Sequence, residues 1–379
     1  MENRPTQMTR HVPALDGVRG VAILLVLAAH FGGGRKFESM TMQIAGQLMV
    51  GGWVGVDLFF VLSGFLITGI LLKTLDLPEY YRSFYGRRIL RVFPIYYLTL
   101  IVTFIISLVS HLPWHWYQYS FFIFANNIVV VFFDNVGYVG PGLILSAFWS
   151  LAIEEQFYLF WPYLIRAATR SQWLLWLFLC SLVGPLVLRI LFVNLGSTNA
   201  AYNLLLSRMD ALAAGGLLAF LYRRGSLDGI RARVPIGVMC ISVAGFLGIG
   251  LFERTLAWNT DLMMTVGFDL TALGSLAFIW SALIPNSPTQ LVCAAQPLRF
   301  FGKYSYGMYI YHQIFQTYMM KHLYPLATRV SHSSSLGAVL YFFTAISLVT
   351  AVSVISYHLF EARFLRLKTR FPYGRPGQR

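Results

Sequence analysis

The chain has 379 residues, of which 57% are hydrophobic, 16% aromatic and only 12% charged, with a mean hydropathy of +0.63. Soluble domains carry roughly 25% charged residues, so this composition excludes an ordinary soluble protein and reads as an all-α polytopic membrane protein. The formal charge of +14 would suit nucleic acid, but the basic residues fall in short clusters between apolar runs, as the positive-inside rule expects. No nucleic-acid partner is expected, and membrane lipids are the partners that the charge implies.

In chain order the apolar runs are approximately 15–31, 53–72, 89–110, 116–133, 148–165, 172–193, 204–222, 234–252, 262–284, 304–321 and 336–359. About 20 residues cross a bilayer. If every run crosses and the N-terminus is cytoplasmic, the cluster Arg82, Arg87, Arg88, Arg91 lies inside but Arg166 and Arg170 fall outside. Taking 116–133, which Asn126 and Asn127 interrupt, as re-entrant or interfacial removes the conflict. About ten crossings with one re-entrant segment and both termini cytoplasmic is therefore the expected topology. Residues 1–379 are read as a single membrane-embedded domain, with a core of 10–365 and a basic cytoplasmic tail of 366–379. The stretches 32–50 and 134–147 are expected as loops, with Gly32, Gly33, Gly34 and Gly51, Gly52, Gly55 bracketing the first. The first run follows a basic N-terminus as a signal peptide does, but Asp16, Arg19 and His30 argue for a retained span. Cys180, Cys240 and Cys293 are odd in number and lack metal spacing, so neither a disulfide framework nor a metal is expected.

Four stretches carry ionisable groups that packing does not explain. In LDGVRGVAILLVLAAHF, residues 15–31, Arg19 and His30 lie eleven positions apart, which places them on one helix face and roughly 16 Å apart along the axis. Two readings fit: a polar site within the bundle, or an arginine and a histidine at the two interfaces. In GVDLFFVLSGFLIT, residues 55–68, Ser63 and Gly64 suit close helix packing, whereas Asp57 is placed to reach the outer end of the first span, where His30 lies. FYGRRILRVFPIYY, residues 84–97, puts Arg87 and Arg91 on one face with Arg88 beside them. Guanidinium groups suit bidentate phosphate recognition, and positive-inside anchoring on lipid phosphate explains the cluster as well. In FWSLAIEEQFYLFWP, residues 148–162, Glu154 and Tyr158 share a face while Glu155 points about 100° away. Unpaired carboxylates are costly in a bilayer, so at least one glutamate should meet an arginine or histidine of another span.

Later stretches add SRMDALAAGG (207–216), with Arg208 and Asp210, and KYSYGMYIYHQ (303–313), with His312, Ser305, Tyr306 and Tyr309 at helical offsets. A second core histidine such as His312 is more often structural than catalytic. Glu361 is expected to pair with Arg363 or a loop arginine.

Taken together, Arg19 and His30 with ten residues between, GVDLFFVLSGFLIT, RRILRVFP, FWSLAIEEQFYLFWP, SRMDALAAGG and KYSYGMYIYH resemble, in order, the acyltransferase-3 family of integral membrane acyltransferases. The resemblance implies about ten spans. It also implies transfer of an acyl group, usually acetyl, from cytoplasmic acyl-CoA to a hydroxyl of a glycan or lipid-linked sugar, in the cytoplasmic (inner) membrane of a bacterium. It implies that His30, Arg19, Glu154 and Glu155 are catalytic and that Arg87, Arg88 and Arg91 hold the phosphates of CoA, the donor substrate. Asp57, Tyr158, Arg208, Ser305, Tyr306 and His312 are given supporting positions, with Arg208 and Lys303 as the next cytoplasmic candidates for the donor. Some members carry a fused esterase-like periplasmic domain, and here a separate periplasmic partner would meet any such need. The competing class is a transporter or flippase of an anionic or lipid-linked substrate, which would explain buried charges and basic loops equally well.

Overall fold

The structure is a computed structural model that describes residues 12–33, 39–140 and 142–373. Gly34, the basic stretch before position 12 and tail residues 374–379 lie outside them.

The helices are α1 (Pro13–Gly32), α2 (Met40–Val50), α3 (Val54–Thr74), α4 (Tyr80–Val109), α5 (Asn126–Val129), α6 (Phe148–Arg170), α7 (Leu174–Asn194), α8 (Thr198–Asn203), α9 (Met209–Arg223), α10 (Arg233–Phe252), α11 (Phe268–Leu283), α12 (Pro288–Ala294), α13 (Gln296–Ser331), α14 (Ser334–Ser356) and α15 (Ala362–Arg366). Local signals set several boundaries. Proline occupies the first turn of α1, α12 and α13, where its missing N–H costs nothing. The Ser287 hydroxyl caps α12 by accepting from the Gln290 amide at 3.0 Å.

Among the described residues, seven helical stretches are long and apolar enough to cross a membrane: 13–32, 40–74, 80–109, 174–194, 233–252, 263–283 and 334–370. The other three expected crossings are α6, α9 and α13, the helices that carry Glu154 and Glu155, Asp210, and Ser305 to His312. Polar residues keep α6 and α13 off the apolar set, and α9, at 15 residues, is too short for it. The protein is thus an all-α polytopic membrane protein.

Two expected loops are partly ordered. Positions 40–50 form α2, which continues through a 3-10 turn at Gly51–Trp53 into α3. Within 134–147 there is a small antiparallel hairpin, β1 (Tyr138–Gly140) and β2 (Leu143–Ile144). The run 116–133 forms no crossing helix. It folds as a 3-10 stretch, Trp116–Ile123, followed by the single turn of α5. The asparagines that interrupt this run are buried, and Asn127 exchanges hydrogen bonds with Gln156 of α6 at 2.8 and 3.2 Å. Helix α4 begins nine residues before the expected run, so its arginines are helical. The basic character of 82–91 hides that start from an apolarity reading.

α1 and α3 occupy the interior. α1 packs chiefly on α13, with α3 and α12 beside it, and α3 packs on α9. Glycine permits these close approaches. A Cβ on Gly64 would overlap the Leu212 carbonyl, and one on Gly215 would overlap the Val61 carbonyl, so the α3–α9 seam has backbone against backbone from both sides. α10, by contrast, exposes Ile241, Leu251 and Phe252, as a lipid-facing helix does.

Candidate functional site

Five helices line a partly open cavity of about 100 Å³. α1 contributes Arg19, α3 contributes Ser63 among apolar neighbours, α4 contributes Arg88 and Arg91, α6 contributes Ser150, Glu154, Glu155 and Tyr158, and α13 contributes Ser305, Tyr306 and Tyr309. Residues from widely separated motifs therefore face one space.

The cation side is built from α1 and α4. Arg19 donates to Asp16 one turn earlier at 2.6 Å. Arg88 lies over the rings of Tyr158 and Phe84, 5.5 and 5.9 Å from their centres, and its Nε is buried without a hydrogen-bond partner among the described residues. Arg87 does not line the cavity. It donates to the carbonyls of Lys368 and Phe371 at 3.2 and 2.9 Å. Sharing a helix face with Arg91 does not make the two side chains converge, because the chain after α15 captures the first of them.

The acidic side is α6. Glu154 accepts from the Ser63 hydroxyl at 2.8 Å and from the Tyr158 hydroxyl at 3.1 Å. Glu155 Oε1 has no hydrogen-bond partner among the described residues. The expected ion pair of a glutamate with an arginine or histidine of another span is not formed: among the described residues no such contact lies within 4 Å. Hydroxyls hold Glu154 instead, which suits a carboxylate that must exchange partners. Glu361, similarly, makes no ion pair with Arg363 or any other described cation.

His30 and His312 lie beyond the cavity lining, and Tyr309 links the two regions. Its hydroxyl pairs with Ser150 at 2.5 Å and donates to the Ala147 carbonyl at 3.2 Å. The Tyr309 ring centre is 5.4 Å from that of His312, which in turn is 4.6 Å from that of His30. Both histidines use Nδ1 to donate to their own helix, His30 to the Val26 carbonyl at 2.9 Å and His312 to the Tyr309 carbonyl at 2.7 Å. A carbonyl only accepts, so Nε2 is the nitrogen that each presents. Nε2 of His312 is buried and has no hydrogen-bond partner among the described residues. Gln316 donates to the His30 carbonyl at 2.8 Å and ties α13 to the end of α1. Ser305 and Tyr306 use their hydroxyls internally, on the carbonyls of Gly302 at 2.9 Å and Val92 at 2.8 Å.

Asp57 and Arg208 belong elsewhere. Asp57 pairs with Arg208 and accepts from Thr271 at 2.5 Å, all three residues being buried. It does not meet His30, because Arg208 at the start of α9 reaches it first. Arg208 is correspondingly no candidate for a cytoplasmic donor site. Beside this pair, Arg189 of α7 is fully buried and bonds to Asp210 at 2.6 Å and Asp269 at 2.9 Å. Sequence reasoning passed over Arg189 within its apolar run and gave Tyr309 no role. An arginine in the middle of a span was the available signal for the first, and a spacing of three from His312 for the second.

A family model described as an acyltransferase domain matches residues 12–358. The chain is similar to the peptidoglycan O-acetyltransferase OatA of Listeria monocytogenes, at 29% identity over 82% of this chain and 50% of that protein. It is similar to the O-acetyltransferase OatA of Staphylococcus aureus (strain NCTC 8325 / PS 47), at 27% identity over 80% and 50%. It is also similar to the putative peptidoglycan O-acetyltransferase YrhL of Bacillus subtilis, at 27% identity over 94% and 55%. The chain spans about half the length of the curated relatives it matches. No solved structure matches it.

Proposed function

Because the chain belongs to the acyltransferase-3 family, we propose that it is a membrane O-acetyltransferase that moves an acetyl group from acetyl-CoA to a hydroxyl of a glycan or lipid-linked sugar. The observation that carries this reading is the convergence on one cavity of arginines from α4 and carboxylates from α6, with Tyr309 of its lining packed against the histidine pair. Relatives that are named peptidoglycan O-acetyltransferases support the acceptor class. A transporter or flippase is not favoured, since the family model is an acyltransferase domain.

In this reading Arg88 and Arg91 receive the phosphates of the donor at the cytoplasmic side through charge-assisted hydrogen bonds. The pantetheine arm runs from the cavity past Tyr309 toward His30, over the roughly 16 Å of helix between the levels of Arg19 and His30. His30 Nε2 takes the proton of the acceptor hydroxyl as its oxygen attacks the thioester carbonyl. The C–S bond then breaks, and CoA leaves as a thiolate that regains a proton. General-base catalysis of this kind contributes roughly 100- to 10,000-fold. Glu154 and Glu155 orient donor or acceptor groups beside the arginines.

The test is transfer of radiolabelled acetyl from acetyl-CoA to peptidoglycan fragments by purified protein in nanodiscs. The parent should transfer label and His30→Ala should not, at equal protein levels. Undiminished transfer by a well-expressed His30→Ala variant would sink the catalytic assignment.

A further inference from the structure

The chain after α15 lies across the first turns of α4. Besides the two carbonyls that Arg87 holds, the Ser83 hydroxyl donates to the Pro372 carbonyl at 2.9 Å. The Tyr373 ring covers the Arg87 guanidinium at 4.5 Å, and the Phe371 ring packs on Gly86 so closely that a Cβ there would overlap it. Residues 368–373 thus form a strap tied to α4 at several points. The strap brings Lys368, which is half-buried, within electrostatic reach of Arg19, Arg87, Arg88 and Arg91.

Three of these cations make no close ion pair. Arg88, Arg91 and Lys368 have no ion pair among the described residues. Glu154 and Glu155 act on Arg88, and Glu154 and Glu361 on Arg91, only at a distance. Like charges gathered at one mouth repel one another, and backbone ties from Arg87 hold one of them there against that repulsion. A ligand with several phosphate charges relieves it.

We infer that Lys368 is a further phosphate-binding cation of the donor site, carried to it by the C-terminal strap, and that Arg87 positions the strap instead of touching the ligand. This rests on the reading that Arg88 and Arg91 bind the phosphates of the donor. A phosphate-bearing lipid headgroup would offer the same chemistry, so the experiment separates the two sources.

Coenzyme A binding is measured on the full chain in nanodiscs of phosphatidylcholine, with and without phosphatidylglycerol. Lys368→Gln should weaken CoA binding about tenfold in both membranes, while Lys368→Arg keeps the parental affinity and Lys321→Gln, an exposed position on α13, changes nothing. Arg87→Lys keeps the charge but loses the fork, and should weaken binding to a similar degree. Combined with Lys368→Gln it should add nothing further, because both act through one strap. Parental affinity in Lys368→Gln overturns the inference alone. A loss confined to membranes with phosphatidylglycerol overturns it in favour of a lipid contact. No CoA binding by the parent overturns the donor reading and this inference with it.

Discussion

The imidazoles of His30 and His312, from α1 and α13, meet edge to face with ring centres 4.6 Å apart, and each is oriented by an Nδ1 hydrogen bond to its own helix. The pair fixes the direction of His30 Nε2, because the ring can neither rotate away from the Val26 carbonyl nor tilt into His312. His312→Ala should therefore lower turnover by about tenfold or more while leaving the apparent KM for the donor unchanged, since nothing at the arginines is disturbed. Steady-state kinetics on purified protein checks it, and parental turnover would reduce His312 to packing.

Arg88 and Arg91 separate anchoring from recognition. Lysine keeps the positive-inside charge but has no planar fork, and a polybasic patch is worth about 1 kcal/mol per charge of either type. Arg88→Lys and Arg91→Lys should each raise the apparent KM for acetyl-CoA several-fold. Donor titration decides, and unchanged dependence in both would move the donor site.

The Asp57–Arg208 pair holds α3 to α9 in the apolar interior. Arg208→Ala leaves a buried carboxylate without its cation, at a cost of about 3–5 kcal/mol. The double variant Asp57→Asn/Arg208→Met should recover part of that loss. Thermal aggregation monitored by size exclusion in detergent reads both, and a parental midpoint for Arg208→Ala would contradict the ion pair.

Gly64→Ala should destabilise the same seam by about 1–3 kcal/mol, as overpacking does, because the added methyl meets the Leu212 backbone and not a side chain that can turn away. The same thermal assay applies. Gly237→Ala, where a Cβ meets nothing, should leave the midpoint unchanged.

The distribution of basic residues predicts that 73–88 and the C-terminus face the cytoplasm and 32–50 the outside. Cysteines introduced at Gln47 on α2 and at Glu79, both exposed, should label from outside and only after permeabilisation, respectively. Labelling of position 79 in intact cells would reverse the orientation.

Much of the architecture could be read from one-dimensional patterns. The apolar runs located the crossing helices because a bilayer demands internally hydrogen-bonded segments of a set length. The two asparagines at 126 and 127 mark a run that forms no helix of crossing length. Patterns failed where polar residues sit inside helices. α4 begins before its apolar run because arginines mask helicity in a hydropathy reading, and the flanking glycines hide α2.

The sequence by itself determined which ionisable side chains stand inside apolar runs and so need a compensating group, since such a side chain is costly wherever the fold places it. It could not determine their partners, because a charge in one helix constrains only that some compensating group exists, not which helix supplies it. Tertiary packing made those choices. It gave Asp57 to Arg208 instead of His30, left Glu154 to hydroxyls, turned Arg87 to the C-terminal strap and set His312 against His30. Each follows from which helices the glycine seams and apolar faces bring into contact, a property of pairs of helices that no single run of residues contains.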